Sequence, residues 1–241
     1  MMKKLAVAVA TASTLGFATL AHAEEFDTPI GKIDASMTAT LATDYIWRGQ
    51  SQTAGAGAVQ GSLDFAHESG LYIGAWASNV DADAFDASVE IDYYFGWAGN
   101  ITDEIELDLG WATYTYPKAG GDASVDEVLA SIGLYGFTLG AKYAYDPESA
   151  LYTYIGYGFE LPYEFGLDLH YGRTDTKDPL SSVQSKEKYD DWAVTVSKDF
   201  VGIDWALMYS DTNIKGGTCS EWYGKSRYCS GNWTFSATKS F

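Results

Sequence analysis

The side chains able to do chemistry in this chain are mainly carboxylates, and they fall at every second position. Glu90 and Asp92 form one pair, Glu104, Glu106 and Asp108 a series, and Asp168 stands two places before His170. Together with Asp44, Asp64, Asp86, Glu127, Glu164, Asp191 and Asp204 they make up the polar half of an alternating pattern, countered chiefly by Arg48 and Lys142. Spacing by two places side chains on one face of a strand, so these groups should line a common surface. A wall of that sign attracts cations. Catalysis is the poorer reading. After residue 23 only His67 and His170 remain as histidine bases, neither lies near a nucleophile motif, and Asp168 and His170 simply share a face. Asp81, Asp83 and Asp86 offer oxygen ligands to a hard cation, but a solvated acidic loop is the commoner arrangement. No catalytic residue, cofactor or metal is expected. Cys219 and Cys229, with nine residues between them in one connection, read as a disulfide in an exported chain. Zinc would need two further ligands, and none is near.

The elements that must position these groups are strands. The chain has 241 residues, 33 Asp and Glu against 15 Lys and Arg, a net charge of −18, 46% hydrophobic residues, 25 Gly, 18 Tyr and 8 Trp. Such apolar content excludes a disordered chain, and the acidic balance leaves no basic footprint for nucleic acid. Lys3 and Lys4, an apolar run over 5–20 and Ala21-His22-Ala23 read as a signal peptide covering 1–23, which leaves 24–241 as one domain. Period two dominates that domain. Val89, Ile91, Tyr93, Phe95 and Trp97 alternate with Glu90, Asp92, Tyr94 and Gly96, and a first strand is expected over 35–47.

Turn spacing predicts the strand count. Tight turns near 69–70, 100–103, 135–136, 161–163 and 201–202 alternate with longer polar connections at 48–57, 79–84, 117–124, 146–149, 174–189 and 211–231. Five short turns join ten strands, and one strand at each end makes twelve, an even number with both ends on the short-turn side. Glycines such as Gly96, Gly110, Gly140 and Gly172 sit on the polar face, where a lumen would need room, and aromatic residues gather near strand ends, as in Tyr45/Trp47, Tyr93/Phe95/Trp97, Tyr143/Tyr145 and Trp233/Phe235. Both features favour an antiparallel transmembrane β-barrel with its apolar face toward lipid. The turn near 100–103 would then set Asp92 across from Asp108, with Glu90 and Glu106 as neighbours, like charges that call for water or a cation between them.

At Ala42-Thr43-Asp44-Tyr45-Ile46-Trp47-Arg48-Gly49-Gln50-Ser51 the sequence resembles the opening strand of the TorF family of porin-like proteins, and Ala58-Val59-Gln60-Gly61-Ser62-Leu63-Asp64-Phe65 and Gly74-Ala75-Trp76-Ala77-Ser78-Asn79 continue the likeness. The resemblance implies a barrel in the Gram-negative outer membrane, in contact with lipid and lipopolysaccharide. It names no substrate. Phe241 resembles the C-terminal signal read by barrel assembly machinery, although Lys239 departs from the usual apolar residue two places before it. The expected function is passive diffusion of small hydrophilic solutes with cation preference, past a lining of Asp44, Arg48, Asp64, Glu90, Asp92, Glu106, Asp108, Lys142, Asp168 and His170. A structural or adhesive barrel is the first alternative, and a hydrolase centred on His170 the second.

Overall fold

The computed structural model describes residues 24–118, 123–177 and 187–241. The signal peptide expected at 1–23 and parts of the connections expected at 117–124 and 174–189 lie outside them. Twelve antiparallel strands run as β1 (Gly31–Ala42), β2 (Ala58–His67), β3 (Leu71–Asn79), β4 (Val89–Asn100), β5 (Ile105–Tyr116), β6 (Ala123–Leu134), β7 (Phe137–Asp146), β8 (Ala150–Leu161), β9 (Phe165–Asp175), β10 (Lys188–Phe200), β11 (Ile203–Thr212) and β12 (Asn232–Ser240). Each pairs with its sequence neighbour, and β12 pairs with β1 to close the ring. Most strands have 9 to 12 residues, and a tilted membrane-crossing strand needs roughly 9 to 11.

Turn chemistry sets the short side. Tyr135-Gly136 and Val201-Gly202 each combine two positive φ angles, the mirror-image turn whose twist suits a two-residue hairpin. The alternation sorts the faces. Val59 is 66% exposed and Phe95 54%, both pointing outward, whereas Glu90 points inward at 2%. In water that arrangement would be unfavourable twice over, for the bare apolar surface and for the buried charge. A lipid exterior around a polar lumen removes both costs.

Two expectations need correction, and one strand is additional. The first strand ends at Ala42 rather than continuing to residue 47, and residues 44–54 turn into the lumen. Tyr45 and Trp47 therefore belong to no outer aromatic girdle. A short strand, Glu24–Thr28, precedes the barrel and pairs with residues 31–35 of β1, on the edge that β12 shares farther along. Finally, the β4–β5 turn spans 101–104, closed by Ile101 N–H donating to Ile105 O at 2.8 Å. That moves the register: Asp92 lies opposite Tyr114, Asp108 opposite Ala98 and Glu106 opposite Asn100. No carboxylate in this hairpin faces another directly, so the ladder avoids the expected like-charge pairing.

A closed ladder of this length should survive detergent. Purified protein is expected to give a β-rich circular dichroism spectrum and to migrate faster on a gel unboiled than boiled; a helical spectrum or full solubility without detergent would contradict the architecture.

Candidate functional site

The site is built by the segment that leaves the wall after Ala42. Ile46–Trp47 pairs with Gln50–Ser51 in a miniature hairpin whose turn residues, Arg48 and Gly49, have φ of 49° and 75°. This is again the mirror-image two-residue turn, here pointing inward. Gly49 is required twice. Its φ suits glycine, and a β-carbon there would run into the Asp191 β-carbon and the Thr212 methyl group on the wall. At the hairpin base, Asp44 accepts hydrogen bonds from Ser51 Oγ and Thr53 Oγ1, both at 2.7 Å, and from Asn232 Nδ2 on β12. Farther in, the Tyr45 hydroxyl donates to Glu90 at 3.1 Å and Gln50 Nε2 to the Tyr189 hydroxyl at 2.7 Å. The hairpin is thus polar, buried and supplied with partners, as a buried polar segment must be.

Its tip carries Arg48 to the middle of the acidic wall. Arg48 Nη2 donates to both oxygens of Glu127, at 2.6 and 2.8 Å, and the Tyr114 hydroxyl donates to the same carboxylate at 2.8 Å. The guanidinium carbon lies 4.1 Å from the Trp47 ring centroid and 4.4 Å from that of Tyr152. Arg48 and Glu127 are 3% and 1% exposed. Lys142, also buried, sits within electrostatic reach of Glu127, Asp92 and Asp108. Two cations thus stand among a larger number of buried carboxylates.

The remaining sequence-picked residues separate into three groups. Glu90, Asp92 and Asp108 lie on the inner wall, with Asp108 accepting from the Tyr72 hydroxyl at 2.8 Å and Asp92 Oδ1 without a hydrogen-bond partner among the described residues. Asp64, also inward, accepts from Ser62 Oγ at 2.6 Å and from the Tyr94 hydroxyl. Glu106 is inward but exposed, near the short-turn end. Asp168 and His170 share the wall beneath the hairpin. The partners of His170 Nε2 are the Tyr152 hydroxyl at 2.7 Å and Asp191 at 3.2 Å, rather than Asp168. Between hairpin and wall, Ile46, Gly49, Asp168, His170, Asp191 and Ser210 enclose about 20 Å³, space for a single water. Asp86, Glu104 and Glu164 are not on the wall. Asp86 ends a loop helix and pairs with Lys118 at 3.0 Å, while Glu104 and Glu164 lie exposed in short turns.

Tyrosines fill what the glycines leave open. A β-carbon on Gly74 would meet the Tyr94 ring, and one on Gly96 the Tyr72 hydroxyl, so small residues on one strand make sockets for rings from its neighbours. Residues 213–231 cover the long-loop end with a helix, Gly216–Tyr223, and a further turn, Ser226–Cys229, joined by the Cys219–Cys229 disulfide. The lid rests on the acidic loop: Tyr228 donates to Asp81 at 2.6 Å and Lys225 pairs with Asp83 at 3.0 Å. The bond from Tyr228 holds the Asp81 carboxyl below its ordinary range. These aspartates serve as docking points for the lid. The hairpin, the Tyr114–Glu127–Tyr152 wall and the lid contacts were not legible as one unit. Arg48-Gly49, flanked by Ile46-Trp47 and Gln50-Ser51, was nevertheless the same kind of hairpin signal as Tyr135-Gly136.

A family model described as "Bacterial protein of unknown function (Gcw_chp)" matches residues 27–241. No curated protein matches the chain. Among solved structures, the KdgM porin aligns with a TM-score of 0.54 at 7% identity, covering 86% of this chain and 99% of its own. The NanC porin aligns with a TM-score of 0.54 at 7% identity, covering 85% and 97%. The KdgM porin in complex with disordered oligogalacturonate gives 0.51 at 6% identity, covering 86% and 99%. At such identities the likeness is one of fold, a single-chain barrel of comparable length.

Proposed function

The chain belongs to the Gcw_chp family, and we propose that it is an outer-membrane diffusion channel for small hydrophilic solutes that prefers cations. The observation that carries this reading is the inverted barrel, apolar and exposed outside, with Asp44, Glu90, Asp92, Glu127 and Asp191 each 3% exposed or less inside, against Arg48 and Lys142. The fold shared with the KdgM and NanC porins supports a channel, as does the resemblance of residues 42–51 to TorF porins. Export through the 1–23 signal peptide and assembly by machinery reading Phe241 belong to the same proposal, with outer-membrane lipid and lipopolysaccharide as surroundings. Phe241 is 55% exposed, and its backbone exchanges hydrogen bonds with Met37 at 2.9 and 3.2 Å, which keeps its ring at the barrel rim.

The sign of the lumen sets the solute class. The KdgM complex contains oligogalacturonate, a polyanion. An excess of buried carboxylates here would repel such a chain and concentrate cations, most strongly at low ionic strength. In a planar bilayer under a salt gradient, the reversal potential should report cation preference. Neutralising Glu90, Asp92, Glu106 and Asp108 together to Gln or Asn should reduce it while keeping the Tyr45 and Tyr72 hydrogen bonds. Anion preference in the unaltered barrel would refute the charge argument.

The in-folded hairpin favours a second reading, a closed barrel with a structural or adhesive role. Absence of conductance even with the hairpin removed would decide for it.

A further inference from the structure

Arg48 is held as a bound ligand is held. One nitrogen of its guanidinium sits between both oxygens of Glu127, at 2.6 and 2.8 Å, and the plane stacks near two aromatic rings. Of the groups that hold it, only Trp47 travels with the hairpin. Glu127 belongs to β6 and Tyr152 to β8, so two of its contacts are fixed in the barrel wall, as is Tyr114 of β5, which bonds Glu127. The Tyr114 hydroxyl orients the carboxylate from the side, at 2.8 Å. Carboxylate, orienting hydroxyl and ring face together form a receptor for a flat cation that carries N–H donors.

We propose that Glu127, Tyr114 and Tyr152 form a binding site for guanidinium-type cations, and that Arg48 is its tethered occupant. The wall offers one acceptor group and one ring face, which a planar N–H cation satisfies together. A tetrahedral quaternary ammonium brings no donor to Glu127, and sodium brings no plane to Tyr152. The second half of the inference rests on the channel reading: a free guanidinium-type solute that enters the lumen competes with Arg48 for Glu127, so the hairpin acts as a plug displaced by solutes resembling its own tip. The rival cation is Lys142, whose charge already acts on Glu127. If Lys142 takes over the vacated carboxylate, no site is left for a free ligand.

The test uses the full barrel in detergent and methylguanidinium as probe, with equimolar tetramethylammonium and sodium as comparisons. R48A should gain about 5 °C in the midpoint of its heat-modified gel transition when methylguanidinium is well above its dissociation constant. R48A/E127Q and the unaltered protein should show no such specific gain. Equal shifts with tetramethylammonium, an undiminished shift in R48A/E127Q, or no shift in R48A would each overturn the site. If R48A does not fold, the unaltered barrel answers the question in a bilayer, where methylguanidinium should raise conductance above that in tetramethylammonium by displacing the plug; equal conductance would overturn the proposal. Binding in a barrel that never conducts would remove the channel reading and leave the site standing. Conduction by R48A without specific binding would do the reverse.

Discussion

Replacing residues 46–51 by a Gly-Ser link should raise the single-channel conductance by about an order of magnitude or more. Roughly eight strands enclose only their own side chains, whereas 16 to 18 leave an aqueous channel. Twelve lies between, so conduction depends on what fills the lumen. Here residues 45–51 add Tyr45, Ile46, Arg48 and Gln50, each 8% exposed or less, with about 20 Å³ of space between the hairpin and Asp168, His170 and Asp191. Without it the acidic wall and Lys142 face water directly. The variant should keep its heat-modifiable migration, because the twelve-strand ladder is not part of the deleted segment. A folded variant whose conductance equals that of the unaltered barrel would show that the hairpin is no plug.

The second large effect concerns stability. Glu127→Ala should cost about 3–5 kcal/mol, because it leaves the buried Arg48 guanidinium without the carboxylate that offsets its desolvation. Glu127→Gln should cost less, since it keeps an acceptor for Nη2 and for the Tyr114 hydroxyl. Removing both partners in R48A/E127A should recover much of the loss, as a double-mutant cycle would record. Urea unfolding of the barrel in lipid vesicles measures all four forms. A cost for Glu127→Ala within about 0.5 kcal/mol of zero would mean that the pair is exposed to water in solution.

The barrel was written plainly in the sequence because its signals are local. X-Gly turns with two positive φ angles and strands of alternating polarity need no knowledge of partners, and they gave the correct number of strands. The plug was not legible for a related reason. Met37, Ala39, Leu41, Tyr45 and Trp47 are all odd and apolar, and Thr43 and Ile46 interrupt the alternation near the point where the chain leaves the wall, too small a break to mark it. Periodicity reports which side of a strand a residue occupies, and says nothing of whether the strand still belongs to the sheet. Register failed similarly. Reading the turn near 100–103 as centred too early placed Asp92 six residues away from its partner, Tyr114. The glycine sockets then stayed hidden, since the rings of Tyr72 and Tyr94 come from adjacent strands. His170 shows the same limit: Asp168 is two positions away in sequence, yet Asp191 on the next strand holds its Nε2.

The hairpin is fastened at the place where the first and last strands meet. Asp44 accepts from Asn232, 188 residues later, Thr43 N–H donates to Phe235 O at 2.9 Å, and Phe235 N–H donates to Thr43 Oγ1 at 3.0 Å. Contacts so distant along the chain form late, after the entropy of closing the intervening loop has been met. The seam and the hairpin therefore share one set of anchors. A barrel with β12 not paired to β1 would lack these anchors. The hydrogen bonds that seal the sheet are thus the same ones that fasten the hairpin filling its interior.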